Sequence, residues 1–72
     1  MSKDLKKDDK VSWAWGANRA HGKIAQRFTS RVRRTIKGKV VIRNASEDEP
    51  AYLVVQEDGD RVLKSASELT KG

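Results

Sequence analysis

Alternating apolar and polar residues first appear at Lys10. From there Val11, Trp13 and Trp15 alternate with polar or small residues, which is the period-two pattern of a strand with one buried face. Gly16 and the two residues after it end the pattern, as turn-prone residues do. The alternation therefore predicts a first strand whose apolar face carries both tryptophans.

Two more strands are predicted between residues 20 and 43. Residues 20–28 alternate around Gly22, and a glycine inside a strand often marks a bulge or a sharp bend. Three consecutive β-branched residues predict a strand over 39–43. The pattern leaves the register of the residues before Gly38 open.

A hairpin and a helical turn complete the pattern. Residues 51–56 are the most strand-like run, and the Asp58-Gly59 pair that follows predicts a hairpin because glycine accepts the positive φ of a tight turn. Residues 65–69 predict a single helical or 3₁₀ turn. Five short strands with tight turns predict an all-β fold closed into a small barrel, since closure removes exposed sheet edges. The alternative is an open sheet completed by a second copy.

The length of 72 residues allows one domain with a small core. Residues 1–9 are charged and are predicted to be a flexible lead-in, residues 10–70 the barrel, and residues 71–72 a tail. Without cysteine, neither disulfides nor a zinc site can support the core. No signal-peptide core or membrane-length apolar segment is present, which predicts a cytoplasmic protein with no membrane partner.

Positive charge is concentrated in one part of the chain. Nine Lys or Arg residues and no Asp or Glu lie between Arg19 and Arg43. Residues 1–44 hold 13 basic and 3 acidic side chains, whereas residues 45–72 hold 3 basic and 7 acidic ones. This asymmetry predicts attraction to nucleic acid or another anionic surface, and it equally permits attraction between copies of the chain.

Three pieces of the sequence are typical of one family: the Val-Ser-Trp opening at 11–13, the Pro-Ala-Tyr-Leu junction at 50–53, and the Ser-x-x-x-Leu close at 65–69. Over residues 6–69 the chain resembles the hypervirulence-associated Tudor-domain family. The resemblance implies a five-stranded SH3-like or Tudor-like barrel with a short C-terminal helical turn, and it implies no established activity. Family members often have Lys-Gly-Asp where this chain has Lys-Asp-Asp at 7–9.

The basic segment supplies the candidate binding residues. The planar fork of arginine makes paired hydrogen bonds to phosphate, and Arg31 and Arg33 on one strand would lie about 7 Å apart, comparable to successive phosphates. A tryptophan exposed beside them would stack on an unpaired base, although the shared parity of the two indoles favours burial. The predicted nucleic-acid contacts are Arg27, Arg31, Arg33, Arg34, Lys37, Lys39, Arg43, Trp13 and Trp15. The alternative is a solvated sheet face whose charges confer solubility.

No catalytic or metal centre is predicted. His21 is the single histidine, so zinc lacks ligands. Asp58 and Asp60 flank a glycine in ordinary turn chemistry, and the acidic loop at 47–49 lacks the ordered ligand series of a calcium site. Four aromatic residues are too few to supply both a methyl-lysine cage and a core.

The sequence therefore predicts a non-catalytic binding module without a cofactor. Its expected partner is DNA or RNA, contacted through phosphates with low sequence specificity. The alternative is a protein-interaction or self-associating module, in which the basic residues meet an acidic protein surface such as the 47–49 loop of a second copy.

Overall fold

The computed structural model describes residues 5–71, and the strands of this region form two antiparallel sheets. The elements are β1 (Lys10–Trp15), β2 (Asn18–Phe28), β3 (Val32–Ile36), β4 (Lys39–Arg43), β5 (Ala51–Gln56), β6 (Arg61–Ser65), a 3₁₀ turn (Ala66–Glu68) and β7 (Thr70–Lys71). Five strands are hydrogen-bonded in the order β6-β5-β2-β1-β7, whereas β3 and β4 form a separate hairpin. The fold is all-β, as predicted.

The described residues contain seven strands and not the predicted five, because the segment before Gly38 forms β3 and two residues after the 3₁₀ turn form β7. Lys37 and Gly38 have φ values of 51° and 77°, so both residues lie in the left-handed region that a two-residue hairpin turn requires. The segment before them forms β3, and β4 has the predicted bounds. No ladder within residues 5–71 joins β7 to β6, so hydrogen bonds do not close the sheet into a barrel.

The main core lies on one face of the five-stranded sheet. Val11 and Trp13 are buried there, as their alternation predicts, and the cluster consists of Leu5, Val11, Trp13, Ile24, Tyr52, Val54, Ala66 and Leu69. Trp15 is 68% exposed, so the prediction that both tryptophans are buried is wrong. The reason is position: Trp15 ends β1 opposite Asn18, beyond the reach of the core.

The β3–β4 hairpin packs on the opposite face of β5 and β6. This second cluster contains the buried residues Val32, Ala51 and Leu63, with Phe28, Ile36, Val41 and Ala45 around them. Strand β5 therefore has apolar neighbours on both faces. This double burial explains why residues 51–56 form a continuous apolar run.

The break in the regularity of β2 lies near the glycine but not at it. Pairing with β5 shifts register between Ile24 and Gln26, which leaves Ala25 as the bulged residue. Gly22 has a different role, because a Cβ there would lie 2.6 Å from the carbonyl oxygen of Val55. The glycine thus permits a close approach of β5, and the bulge bends the strand three residues later.

The packed region extends beyond the predicted barrel at both ends. Leu5 is 2% exposed, and the Asp8 N–H donates to the Ile24 carbonyl over 2.7 Å. At the other end, Lys71 pairs with Val11. The predicted lead-in is therefore wrong for residues 5–9, and the predicted tail for residue 71. Residues 1–4 and 72, the rest of those two predictions, lie outside the described region.

The turns match the sequence closely. Gly59 has a φ of 90°, and the Asp60 N–H donates to Asp58 Oδ1 over 2.9 Å, so the predicted hairpin between β5 and β6 is confirmed. The predicted 3₁₀ turn is also present, and Glu68 Oε1 accepts a hydrogen bond from the Ser65 N–H at its start. Within the described residues, no helix has the length and apolar character needed to cross a membrane.

Candidate functional site

The predicted basic residues lie on and beside the β3–β4 hairpin, and its register divides them between two faces. Residues directly opposite each other in an antiparallel pair share a face. Arg33 is opposite Ile42 on the outward face. On the inward face, the cations Arg34, Lys39 and Arg43 are opposite Val41, Ile36 and Val32, which belong to the second cluster. The predicted set therefore does not converge on a single face.

Two of these cations are paired with acids outside the hairpin, one in the turn between β5 and β6 and one in the 3₁₀ turn after β6. Lys37 Nζ lies 2.6 Å from Asp60 Oδ2, and Arg43 Nε lies 3.3 Å from Glu68 Oε1. The hydrogen bond to Asp60 and its negative charge raise the pKa of Lys37 above 10.5. Both pairs connect the hairpin to the β5–β6 region, so these side chains have a structural role.

Glu68 makes several favourable contacts where Arg43, the last residue of β4, meets the 3₁₀ turn. Burial raises the pKa of Glu68, but the hydrogen bond from the Ser65 N–H and the charges of Lys64 and Arg43 outweigh that effect. The net result is a pKa below the ordinary value of 4.5. The carboxylate is therefore held in its charged form.

Arg34 is also engaged within the fold. Its guanidinium carbon lies 4.7 Å from the centre of the Phe28 ring, a distance typical of cation–π contact. Its Nη1 donates to the carbonyl of Arg33 over 2.9 Å. The side chain covers a half-buried aromatic ring, which accounts for its position without a ligand.

Four predicted cations remain without such a role: Arg27, Arg31, Arg33 and Lys39. All four side chains are exposed. Within residues 5–71, none of them has a carboxylate oxygen within 4.0 Å, since the ion pairs there involve Lys37, Arg43, Lys64 and Lys71. These four residues are therefore the part of the predicted set that can meet an external anion.

The two tryptophans have opposite environments. Trp13 is 2% exposed inside the main core, so the prediction that it contacts a base is wrong, because an enclosed indole offers no face for stacking. Trp15 is exposed beside the turn between β1 and β2. Only Trp15 keeps the stacking role as a prediction.

The outward face of the hairpin is partly apolar. Val40 is 51% exposed and Ile42 is 40% exposed, and Arg33 lies opposite Ile42. Strands β3 and β4 pair with each other and with no further strand of the described region. The hairpin thus presents an apolar patch and two strand edges to solvent.

A second basic surface was not predicted. Lys10 in β1 lies directly opposite Lys23 in β2, and with Lys7 these residues line a depression of about 660 Å³. The sequence pattern places Lys10 and Lys23 in separate strands and does not by itself bring them together. The sequence signal that could have found the pair is the β1–β2 hairpin. Pairing residues outward from its turn, starting with Trp15 and Asn18, places Lys10 opposite Lys23.

The described residues show no metal centre. No group of three or more His, Asp or Glu side chains between residues 5 and 71 is placed to hold a metal ion. His21 is exposed.

Comparison with known proteins identifies one relationship. A family model described as the Tudor domain of hypervirulence-associated proteins matches residues 8–69, nearly the whole chain. No curated protein and no solved structure matches.

Proposed function

We propose that this chain, which belongs to the hypervirulence-associated Tudor-domain family, is a non-catalytic binding module that contacts nucleic acid through phosphate groups. Tudor domains are in general binding modules without catalytic activity. The expected ligand is DNA or RNA in the cytoplasm. Specificity for sequence is low, because phosphate contacts carry no direct sequence information.

The proposed architecture is an SH3-like or Tudor-like barrel that carries an inserted hairpin. The sheet order β6-β5-β2-β1-β7 and the 3₁₀ turn before β7 support a barrel built from these five strands. The β3–β4 hairpin then lies on the outside of the barrel, against β5 and β6. In this arrangement residues 32–43 of the basic segment form an added surface element and take no part in the main core.

One observation carries the proposal: four exposed cations on the hairpin and in the chain leading into it have no acidic partner in the described region, namely Arg27, Arg31, Arg33 and Lys39. Arginine forms paired hydrogen bonds with phosphate oxygens and remains charged at any physiological pH. Unbalanced charge of one sign raises the local concentration of a polyanion and releases its counterions on binding. Trp15 lies opposite Asn18 at the start of β2, whereas Arg27 lies near the end of that strand, so Trp15 is a separate candidate stacking surface for an unpaired base.

The test is binding of labelled single- and double-stranded oligonucleotides at two salt concentrations. Affinity is expected to fall steeply with salt, and the double variant Arg31→Gln/Arg33→Gln is expected to weaken binding of all sequences alike and to reduce the salt slope by about 2. The matched control is Lys64→Gln/Lys71→Gln, which removes two positive charges that are already paired with Glu68 and Asp9.

Two results would count against the proposal. Absence of binding at low salt would end it outright. If the control variant weakened binding as much as the arginine variant does, net charge alone would explain the affinity, and the hairpin would not be the binding surface.

A second candidate function is self-association. Its support is the exposed pair Val40 and Ile42 on a hairpin whose two edges pair with no other strand between residues 5 and 71. Glu49 Oε1 accepts a hydrogen bond from the Ser67 N–H, so Glu47 and Asp48 remain as the acids of the 47–49 loop that can meet a basic hairpin. Sedimentation at several protein concentrations, with and without salt, tests this function. A monomer at every concentration would refute it, and Ile42→Thr should reduce any dimer observed.

A further inference from the structure

Two like charges face each other across β1 and β2. Lys10 and Lys23 are directly opposite in the ladder, and both are exposed. The Cβ atoms of such a pair lie about 4.5 to 5.5 Å apart, and like charges at this spacing destabilise a sheet. Within residues 5–71 neither ammonium has a carboxylate within 4.0 Å.

The pair stands at a concave part of the surface. The depression of about 660 Å³ is lined by backbone and side chains of both strands and of β5, and its size lies within the range of small-molecule sites. Lys7 adds a third ammonium, while His21 stands beside them, and Asp8 and Glu57 are the acids of the lining. Val55 and Ala25 also line the depression, are half-buried and offer apolar contact.

This surface is separate from the hairpin. Lys7 precedes β1, and Lys10 and Lys23 lie in β1 and β2. The four unpaired cations of the proposed nucleic-acid surface lie instead near the end of β2, in the segment before β3 and on the hairpin. None of those four lines the depression. A face that served only solubility would not need two lysines directly opposite each other, because an acid at either position would relieve the repulsion.

We propose that this depression binds a small phosphorylated ligand, with Lys7, Lys10 and Lys23 holding its phosphate groups. A phosphate between the two opposed ammonium groups converts their repulsion into shared attraction, and lysine binds phosphate as a compact point charge. Val55 and Ala25 then contact the remainder of the ligand. This proposal does not depend on nucleic-acid binding by the hairpin.

The like-charge pair predicts opposite effects of one substitution on stability and on ligand binding. Without ligand, Lys10→Thr is expected to raise the melting temperature, because it removes the repulsion and places a strand-forming residue in β1. A ligand that binds only the folded state raises the melting temperature of the wild-type protein. The same substitution should therefore stabilise the free protein and reduce the rise in melting temperature that the ligand causes.

The probes are pyrophosphate and ADP, titrated at constant ionic strength and followed by thermal denaturation and by amide NMR shifts. Both should shift amides of β1 and β2, and Lys10→Thr and Lys23→Thr should each weaken binding about tenfold. Lys6→Gln is the matched control, since it removes one charge from the neighbouring segment at an exposed residue that does not line the depression. It should change affinity less than twofold.

Three outcomes overturn the proposal. Neither probe shifts the amides or the melting temperature, Lys10→Thr responds to the probes as strongly as the wild-type protein, or Lys6→Gln loses as much affinity as Lys10→Thr. A duplex oligonucleotide without terminal phosphates distinguishes the source of the phosphate. If Lys10→Thr weakens binding of the oligonucleotide but pyrophosphate does not bind, the lysine pair belongs to a nucleic-acid surface. The proposal of a small-ligand site is then wrong. Arg31→Gln/Arg33→Gln should bind pyrophosphate normally, which separates failure of this proposal from failure of the hairpin proposal.

Discussion

Replacement of Gly22 by alanine tests how closely β2 and β5 are packed. A Cβ at this position would lie 2.6 Å from the Val55 carbonyl oxygen and 2.7 Å from Val54 Cγ1. The carbonyl belongs to the backbone of β5, and β6 pairs with Val55 through Arg61 on the other side. Because the strand is held from both sides, it cannot move away without loss of ladder hydrogen bonds.

The expected cost follows from two opposing effects. Overpacking of a well-packed region costs about 1 to 3 kcal/mol, and a clash with backbone belongs near the upper end. Loss of backbone freedom in the unfolded chain offsets about 0.4 to 1 kcal/mol of this. The net destabilisation is about 2 kcal/mol, which for a domain of this size lowers the melting temperature by about 8 to 16 °C.

Thermal and urea denaturation followed by circular dichroism measure this effect. The control is Gly16→Asn: Gly16 has a φ of 58°, a Cβ added there would have no neighbouring atom within 4 Å, and asparagine tolerates this backbone region. It should change stability by less than about 0.5 kcal/mol. A Gly22→Ala protein that melts within about 2 °C of the wild type would refute the claim that β5 is fixed against β2.

Three further substitutions test other parts of the fold by urea denaturation. Leu5→Ala should cost about 2 to 4 kcal/mol because the side chain is buried in the main core, and a cost below about 0.5 kcal/mol would contradict its packing. Asp8→Gly should raise stability by up to about 1 kcal/mol because Asp8 has a φ of 73°, and a loss of stability would contradict the strain. Glu68→Gln should lower stability at pH 7; since the folded pKa of Glu68 lies below 4.5, the difference from wild type should shrink as the pH falls through that pKa, and an unchanged difference at pH 2 would refute the assignment.

Strands with buried β-branched residues were predictable because their pattern is set by local sequence. The faces of the basic segment were not predictable, because arginine occupies both faces of β3. Arg33 points outward, while Arg34 lies on the inward face with its guanidinium over Phe28. A long side chain can cover apolar surface with its stem and keep its charge in water, so polarity alone does not reveal the face.

The ends of the domain and the positions of the tryptophans depended on tertiary contacts. Leu5 is a single apolar residue among charges, which gives no periodicity, although it is buried in the main core. Strand β7 has two residues, Thr70–Lys71, which are too few to form a pattern. Trp15 has the parity of Trp13 but lies at the end of the strand, and parity does not indicate where the core ends.

The candidate sites also depended on contacts between distant parts of the chain. The sequence identified a cationic segment, but it did not show that Lys37 would pair with Asp60, 23 residues away. The lysine pair at 10 and 23 required the register of a hairpin, which a turn signal alone suggests only when the strand lengths are known. Composition predicts an anionic partner, which stays a prediction, whereas contacts between strands decide which charges are left without an acidic neighbour.

This division of the charges affects how the salt experiment is interpreted. The ion pairs of Lys37 and Arg43 with the β5–β6 region are exposed or partly exposed, and such pairs contribute at most about 1 kcal/mol each. The hairpin is held mainly by the second cluster around Val32 and Leu63, which salt does not weaken. Added salt should therefore release an anionic ligand from the unpaired cations while the hairpin stays in place. A loss of nucleic-acid binding at high salt, with an unchanged circular dichroism spectrum, would then report the phosphate contacts themselves.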